Sequence, residues 1–140
     1  FTGSASTGKV LKSLPQIVDN SVSFNLEADS LNATVLGEHA IPGTVEFDLF
    51  IKETTKEITV KAGQKCTAVR RIIVPENLVE AVQKGIAARL STTVIGDPSQ
   101  EGVRMGALAT RTQVDRVRES VELLAKSQEI VFGDMDNFGI

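Results

Sequence analysis

V-E-F-D-L-F-I-K-E-T-T-K-E-I-T-V-K-A-G-Q-K-C-T-A-V-R-R-I-I-V-P, residues 45–75, changes its hydrophobic period once. Phe47, Phe50, Ile51, Thr54, Ile58 and Ala62 fall on one helical face, which predicts a helix over 45–62. Glu46 and Asp48 suit its N-terminal dipole, and Gly63 is its stop. After the turn formers G-Q-K-C-T, Val69 to Val74 reads as a strand closed by Pro75. Helix, turn and strand in that order are one repeat of an α/β fold.

The flanks continue the alternation. Thr7 or Ser6 is a candidate cap for a short helix with Val10, Leu11 and Leu14 inward, ended or bent at Pro15. Val22, Phe24 and Leu26 alternate with polar neighbours, predicting a strand over 21–28. N-A-T-V-L-G, residues 32–37, reads as a second strand, followed by a loop with His39, Pro42 and Gly43. Residues 76–91 form a helix with Leu78, Val79, Val82, Ile86 and Leu90 inward, and Gly96-Asp97-Pro98 is a turn. Thr110 and Gln113 have capping-box spacing before a helix reaching about Lys126. E-I-V-F, residues 129–132, predicts a last strand, and the tail 134–140 an interrupted connection. The expected class is α/β, three-layered, without repeats.

Composition excludes several functions. The chain has 140 residues, with 15 Lys plus Arg against 18 Asp plus Glu, a net charge of −3. That balance, with no Trp or Tyr, argues against a nucleic-acid partner. No apolar run approaches the ~20 residues a membrane span needs, so no membrane partner is expected. One His and one Cys exclude a zinc site built from several of either, and no metal is expected. The single Cys fits a reducing cytosol, and a cytoplasmic location is expected. His39 reads as a surface residue without a role. Phe1 runs into a glycine-rich motif with no lead-in strand, which suggests a piece of a longer chain.

Three features carry chemistry. Gly3-Ser4-Ala5-Ser6-Thr7-Gly8-Lys9 nearly satisfies the P-loop pattern, but Val10 stands where a magnesium-binding hydroxyl is required. A nucleoside triphosphatase is therefore disfavoured. Anion binding at the following helix N-terminus survives, beside the reading of an ordinary glycine-rich turn. A lone Cys such as Cys66 is more often an inert buried thiol than a nucleophile; its place among turn formers and beside Lys61 and Lys65 argues for the thiolate without deciding between the two. Glu27 closes an apolar strand, with Asp29 two residues on and on the same face if the chain is extended. Paired carboxylates suit a general base, the other reading being an exposed pair in a turn.

In order, F-T-G-S-x-x-x-G, a Glu closing a strand and G-Q-x-C-T before a strand resemble the aldehyde dehydrogenase superfamily. I-G-D-P at 95–98 and M-G-A-L at 105–108 resemble family segments that follow the catalytic cysteine. The resemblance covers essentially the whole chain. Most of the family has E-L-G-G-K where this chain has Glu27-Ala28-Asp29-Ser30-Leu31, so Leu31 replaces the usual Lys. That variant, with residues 61–75, is similar to the branch acting in phenylacetate degradation. There the dehydrogenase is half of a bifunctional chain whose hydratase-like hydrolase domain opens oxepin-CoA.

The resemblance implies Cys66 as nucleophile and Glu27 as the base that activates water. It implies Gly3, Ser4, Gly8 and Ala28 as cofactor contacts, NADP as cofactor with NAD possible, and a CoA-linked aldehyde as substrate. It implies a homo-oligomer in the complete protein. Residues 1–29 would end a Rossmann-like cofactor domain and residues 30–140 would begin the catalytic domain. By itself the piece is expected to be inactive. The contrasting expectation is a non-catalytic α/β module that binds a nucleotide or a partner, with Cys66 structural.

Overall fold

In a computed structural model, which describes residues 1–134, the chain forms two compact units, Phe1–Leu31 and Asn32 onward. The tail reading of 134–140 falls, from Met135 on, outside the described residues.

The first unit is a small parallel crossover. Strand β1 (Thr2–Gly3) leads into helices α1 (Ala5–Lys12) and α2 (Pro15–Val18) and returns through strand β2 (Glu27–Ala28). Thr2 pairs with Glu27 and Gly3 with Ala28. The glycine-rich motif therefore does begin in a strand. Ser4, not Ser6 or Thr7, caps α1, its Oγ accepting from the Thr7 N–H at 3.2 Å. An extended Ser ahead of the helix can reach the third amide, which residues already inside the helix cannot. Pro15 opens α2 at the position where its missing N–H costs nothing. Val10 and Leu14 stay largely exposed, so the expected inward face of α1 is not buried.

The strand predicted over 21–28 shrinks to β2. β1 offers only two residues to pair with, so the alternation of Val22 and Phe24 has no ladder to join. Asp29 also departs from expectation. Its φ of 52° is left-handed, which breaks the extended register that would set it beside Glu27.

In the second unit, strands β3 (Asn32–Val35) and β4 (Val69–Ile73) pair in parallel, joined by helix α3 (Val45–Thr59) and a tight turn, Val60–Gly63. A short helical turn, Glu76–Leu78, precedes helix α4 (Val79–Leu90). Leu36, Phe47, Ile51, Leu78, Val82 and Ile86 make the core between them. Five of these, Phe47, Ile51, Leu78, Val82 and Ile86, are positions the sequence places inward on predicted helices. Thr44 caps α3 through the Phe47 N–H, and Thr110 caps helix α5 (Arg111–Ala125) through the Gln113 N–H at 3.2 Å.

Residues 129–132 form no strand among the described residues. Ile130, Val131 and Phe132 are exposed and no neighbouring edge receives them. The architecture is α/β, with helices between parallel strands in both units. No described helix is long and apolar enough to cross a membrane.

Candidate active site

Cys66 is exposed on the turn between α3 and β4. Three consecutive left-handed residues, Lys61 (φ 54°), Ala62 (φ 52°) and Gly63 (φ 71°), produce that turn. Only Gly63 adopts such a conformation without a Cβ penalty. A Cβ there would also lie 3.3 Å from both the Arg70 guanidinium and the Ile58 carbonyl oxygen.

Side chains hold the turn. Arg70 Nη2 donates to the Gly63 carbonyl at 2.8 Å. Gln64 Nε2 donates to the Lys61 carbonyl at 3.0 Å, and Gln64 Oε1 accepts from the Ala109 N–H at 2.8 Å. Gln64 thereby ties the Cys66 turn to the end of the M-G-A-L segment. Asn32 Nδ2 donates to the backbone carbonyls of Cys66 and, at 3.3 Å, of Ala68, which is fully buried. The Ala68 N–H donates to the Lys65 carbonyl at 3.2 Å. In a trans peptide C=O and N–H point in opposite directions, so the Cys66 N–H faces away from Ala68.

Lys65 departs from the sequence expectation. Lys65 Nζ lies 2.6 Å from Glu57 Oε2 in a partly buried ion pair, so a carboxylate compensates its charge. Sequence reasoning missed Glu57, because a helix residue eight positions upstream has no local spacing rule that links it to a turn. It also missed Asn32. The available signal was an amide residue opening a strand, where it has low propensity.

Glu27 belongs to the first unit. It is exposed, and its backbone N–H donates to the Phe1 carbonyl at 3.0 Å. Asp29 Oδ1 accepts from the Ala5 N–H at 3.2 Å, so Asp29 helps cap α1. Ala28 pairs with Gly3. Ser4 Oγ lies 3.1 Å from Ser6 Oγ and 2.8 Å from Thr7 Oγ1. Three hydroxyls thus gather at the start of α1, a donor set that fits phosphate oxygens, opposed by the Asp29 carboxylate. Gly8 serves packing: a Cβ there would stand 2.3 Å from Leu26 Cδ1. Gly3 is covered by the Phe1 ring, 2.6 Å from where its Cβ would be.

His39 is exposed, with its Nε2 3.5 Å from Glu38 Oε1. An open groove of about 550 Å³ lies against β3 and α3, lined by Val35, Leu36, Leu49, Phe50 and Thr54 among others; Cys66 is not in its wall. Among the described residues no group of three or more His, Cys, Asp or Glu is arranged to hold a metal ion.

The aldehyde dehydrogenase family profile matches residues 1–138. The 3,4-dehydroadipyl-CoA semialdehyde dehydrogenase of Aromatoleum evansii is 44% identical over 138 residues, 99% of this chain and 27% of that protein. The hydroxyisobutyraldehyde dehydrogenase of Mycolicibacterium austroafricanum is 27% identical over 133 residues, 95% of this chain and 25% of its own length. The crystal structure of betaine aldehyde dehydrogenase from Staphylococcus aureus in complex with NAD+ has a TM-score of 0.84 at 21% identity, over 95% of this chain and 25% of that one. The γ-glutamyl-γ-aminobutyraldehyde dehydrogenase of Burkholderia cenocepacia has a TM-score of 0.76 at 25% identity, over 95% and 26%. The chain spans about a quarter of the length of the relatives it matches.

Proposed function

This chain belongs to the aldehyde dehydrogenase family, and from that premise we propose that it supplies the nucleophile and the general base for oxidising a CoA-linked semialdehyde to the acid. Support for the substrate class comes from the 44% identity to a protein named as a CoA-semialdehyde dehydrogenase. The observation that carries the chemistry is Cys66, an exposed thiol on a braced turn whose own N–H points away from Ala68.

The Cys66 thiolate adds to the aldehyde carbon and forms a C–S bond. The resulting alkoxide is stabilised in part by the Cys66 N–H. A nicotinamide dinucleotide, when bound, would supply the hydride acceptor; with the hydride gone from the adduct carbon, Cys66 would carry a thioester. Glu27 takes a proton from water, whose oxygen attacks the thioester; the C–S bond breaks, releasing the acid and the Cys66 thiolate. Ser4 and the start of α1 would hold the dinucleotide's pyrophosphate, with Gly3, Gly8 and Ala28 shaping that end. The cofactor is NADP in this reading, with NAD as the alternative acceptor. Residues 1–29 end the cofactor domain and residues 30–140 begin the catalytic domain. The complete protein is a cytoplasmic homo-oligomer of phenylacetate degradation, with a hydratase-like hydrolase domain on the same chain.

The test uses a full-length polypeptide that carries this sequence, with semialdehyde and NADP or NAD. Cys66→Ala is expected to abolish both the reduced-cofactor burst and turnover. Glu27→Gln is expected to keep the burst and slow turnover by about 10²–10⁴-fold. Retained turnover in Cys66→Ala would overturn the reading.

A further inference from the structure

We propose that Asn32 is a positioning residue for Cys66, fixing the direction in which the thiol is presented; this rests on the nucleophile role given to Cys66 above. A Cys Cβ direction is set by the two peptide planes that meet at its Cα. The plane before Cys66 is held by the Ala68 N–H on the Lys65 carbonyl at 3.2 Å. The plane after it is held by Asn32, whose Nδ2 donates to the Cys66 carbonyl. Gln64, Arg70 and the Lys65–Glu57 ion pair brace neighbouring residues, and none of them bonds to Cys66 itself. Asn32 alone of these side chains touches the nucleophile's backbone.

The strand register brings it there. Asn32 pairs with Val69 but Ala33 pairs with Arg71, so Arg70 is one residue extra on β4. This irregularity bends the start of the pair, as bulges do beside sites where a side chain must be aimed. It sets the two amide protons of Asn32 toward the carbonyls of Cys66 and Ala68. Ala68 is fully buried, so its carbonyl needs a protein partner. An Asn opening a strand adds little to strand stability, yet a side chain with two N–H donors is what two adjacent carbonyls require.

Asn32→Asp tests this, because the side chain keeps its shape while the donors become acceptors. In the full-length polypeptide, the burst rate is expected to fall about 10- to 100-fold, the scale of a misaimed reacting group. The KM for NADP should stay within about twofold, since that group acts elsewhere, and alkylation of Cys66 by iodoacetamide within about threefold, since the thiol remains exposed. A burst within about twofold of wild type would overturn the proposal, and so would equal losses in burst and alkylation, which mean that the turn has collapsed. Should Asn32→Asp not fold, Asn32→Ser keeps one donor, and the same readouts apply with a several-fold fall in the burst expected. Cys66→Ala is run alongside. If it retains turnover, the nucleophile reading fails and takes the proposal with it. If it is dead while the Asn32 variants burst normally, the positioning role alone is refuted.

Discussion

Gly8→Ala is expected to destabilise the first unit although alanine is the better helix former. Gly8 is the buried residue of α1, and an added Cβ would stand 2.3, 3.0 and 3.2 Å from Leu26 Cδ1, Cδ2 and Cγ. Carbon atoms pack at about 3.5–4.0 Å, so the whole Leu26 branch must withdraw, not one methyl. Overpacking of this kind costs about 1–3 kcal/mol, and severe overlap puts it in the upper part of that range. Alanine returns up to about 1 kcal/mol of helix propensity, leaving a net loss of about 1–2 kcal/mol. Leu26→Ala by itself should cost about 1 kcal/mol, because Leu26 is half-buried and full burial of a Leu contributes about 1.5–3 kcal/mol. Combined, the substitutions are not additive. The new methyl occupies space that Leu26 vacates, so the double variant should recover about 1–2 kcal/mol relative to the sum. Urea unfolding followed by far-ultraviolet circular dichroism measures the cycle, since the chain has no Trp or Tyr to report. Exchange of the Gly8 amide, bonded to the Ser4 carbonyl at 2.9 Å, reports on α1 locally. A Gly8→Ala variant as stable as wild type, or strict additivity, would refute the packing role of Gly8.

Gly63→Ala should lose about 1 kcal/mol in the same unfolding experiment, the left-handed penalty slightly offset by a less flexible unfolded chain; a neutral result would mean that the turn relaxes freely. Glu80 and Lys84 pair at 2.8 Å across one turn of α4, with the Glu80 carboxyl lowered and the Lys84 ammonium raised by their hydrogen bond. The Glu80 contribution is complete above the ordinary carboxylate range and is lost as pH falls through its depressed value. The Lys84 contribution is complete below the ordinary lysine value and is lost as pH rises through its elevated one. The melting temperature of Lys84→Ala should therefore fall below wild type only between those limits; a difference that persists in strong acid would point to another cause.

The elements legible in the sequence are those whose stability is local or one-sided. Phe47, Ile51 and Thr54 are buried at helical spacing, and Val82 and Ile86 repeat the pattern in α4, although α3 stops at Thr59, short of the predicted Ala62, because Lys61 and Ala62 are left-handed. Each follows from a period that one helix carries by itself. The strands drawn over 21–28 and 129–132 failed for the opposite reason. Alternation states which face is apolar but not whether a partner edge exists, and neither segment has one beyond Glu27–Ala28. Cys66 could be placed on a turn from its neighbours. The supports of that turn could not, because Asn32, Glu57 and Ala109 bond to Cys66, Lys65 and Gln64 respectively from 34 residues before Cys66 to 43 after it, and no short-range rule links them.

That pattern of support has an energetic consequence. Nine residues separate the end of α3 from the start of β4 beside β3, and the chain reverses through Lys61, Ala62 and Gly63 in left-handed conformations. Two of the three are not glycine, and each such residue costs of order 1 kcal/mol. A conformation of that cost persists only where its surroundings over-determine it. Here they are the Gly63–Arg70 bond, the Gln64 bridge to Ala109, the Lys65–Glu57 pair and the Asn32 fork. The core of Leu36, Phe47, Ile51, Leu78, Val82 and Ile86 contains none of these groups. Loss of one brace should therefore leave the fold standing and change the shape of the turn, which is the condition for a thiol to remain reactive toward a small alkylating agent while losing its aim at a larger substrate.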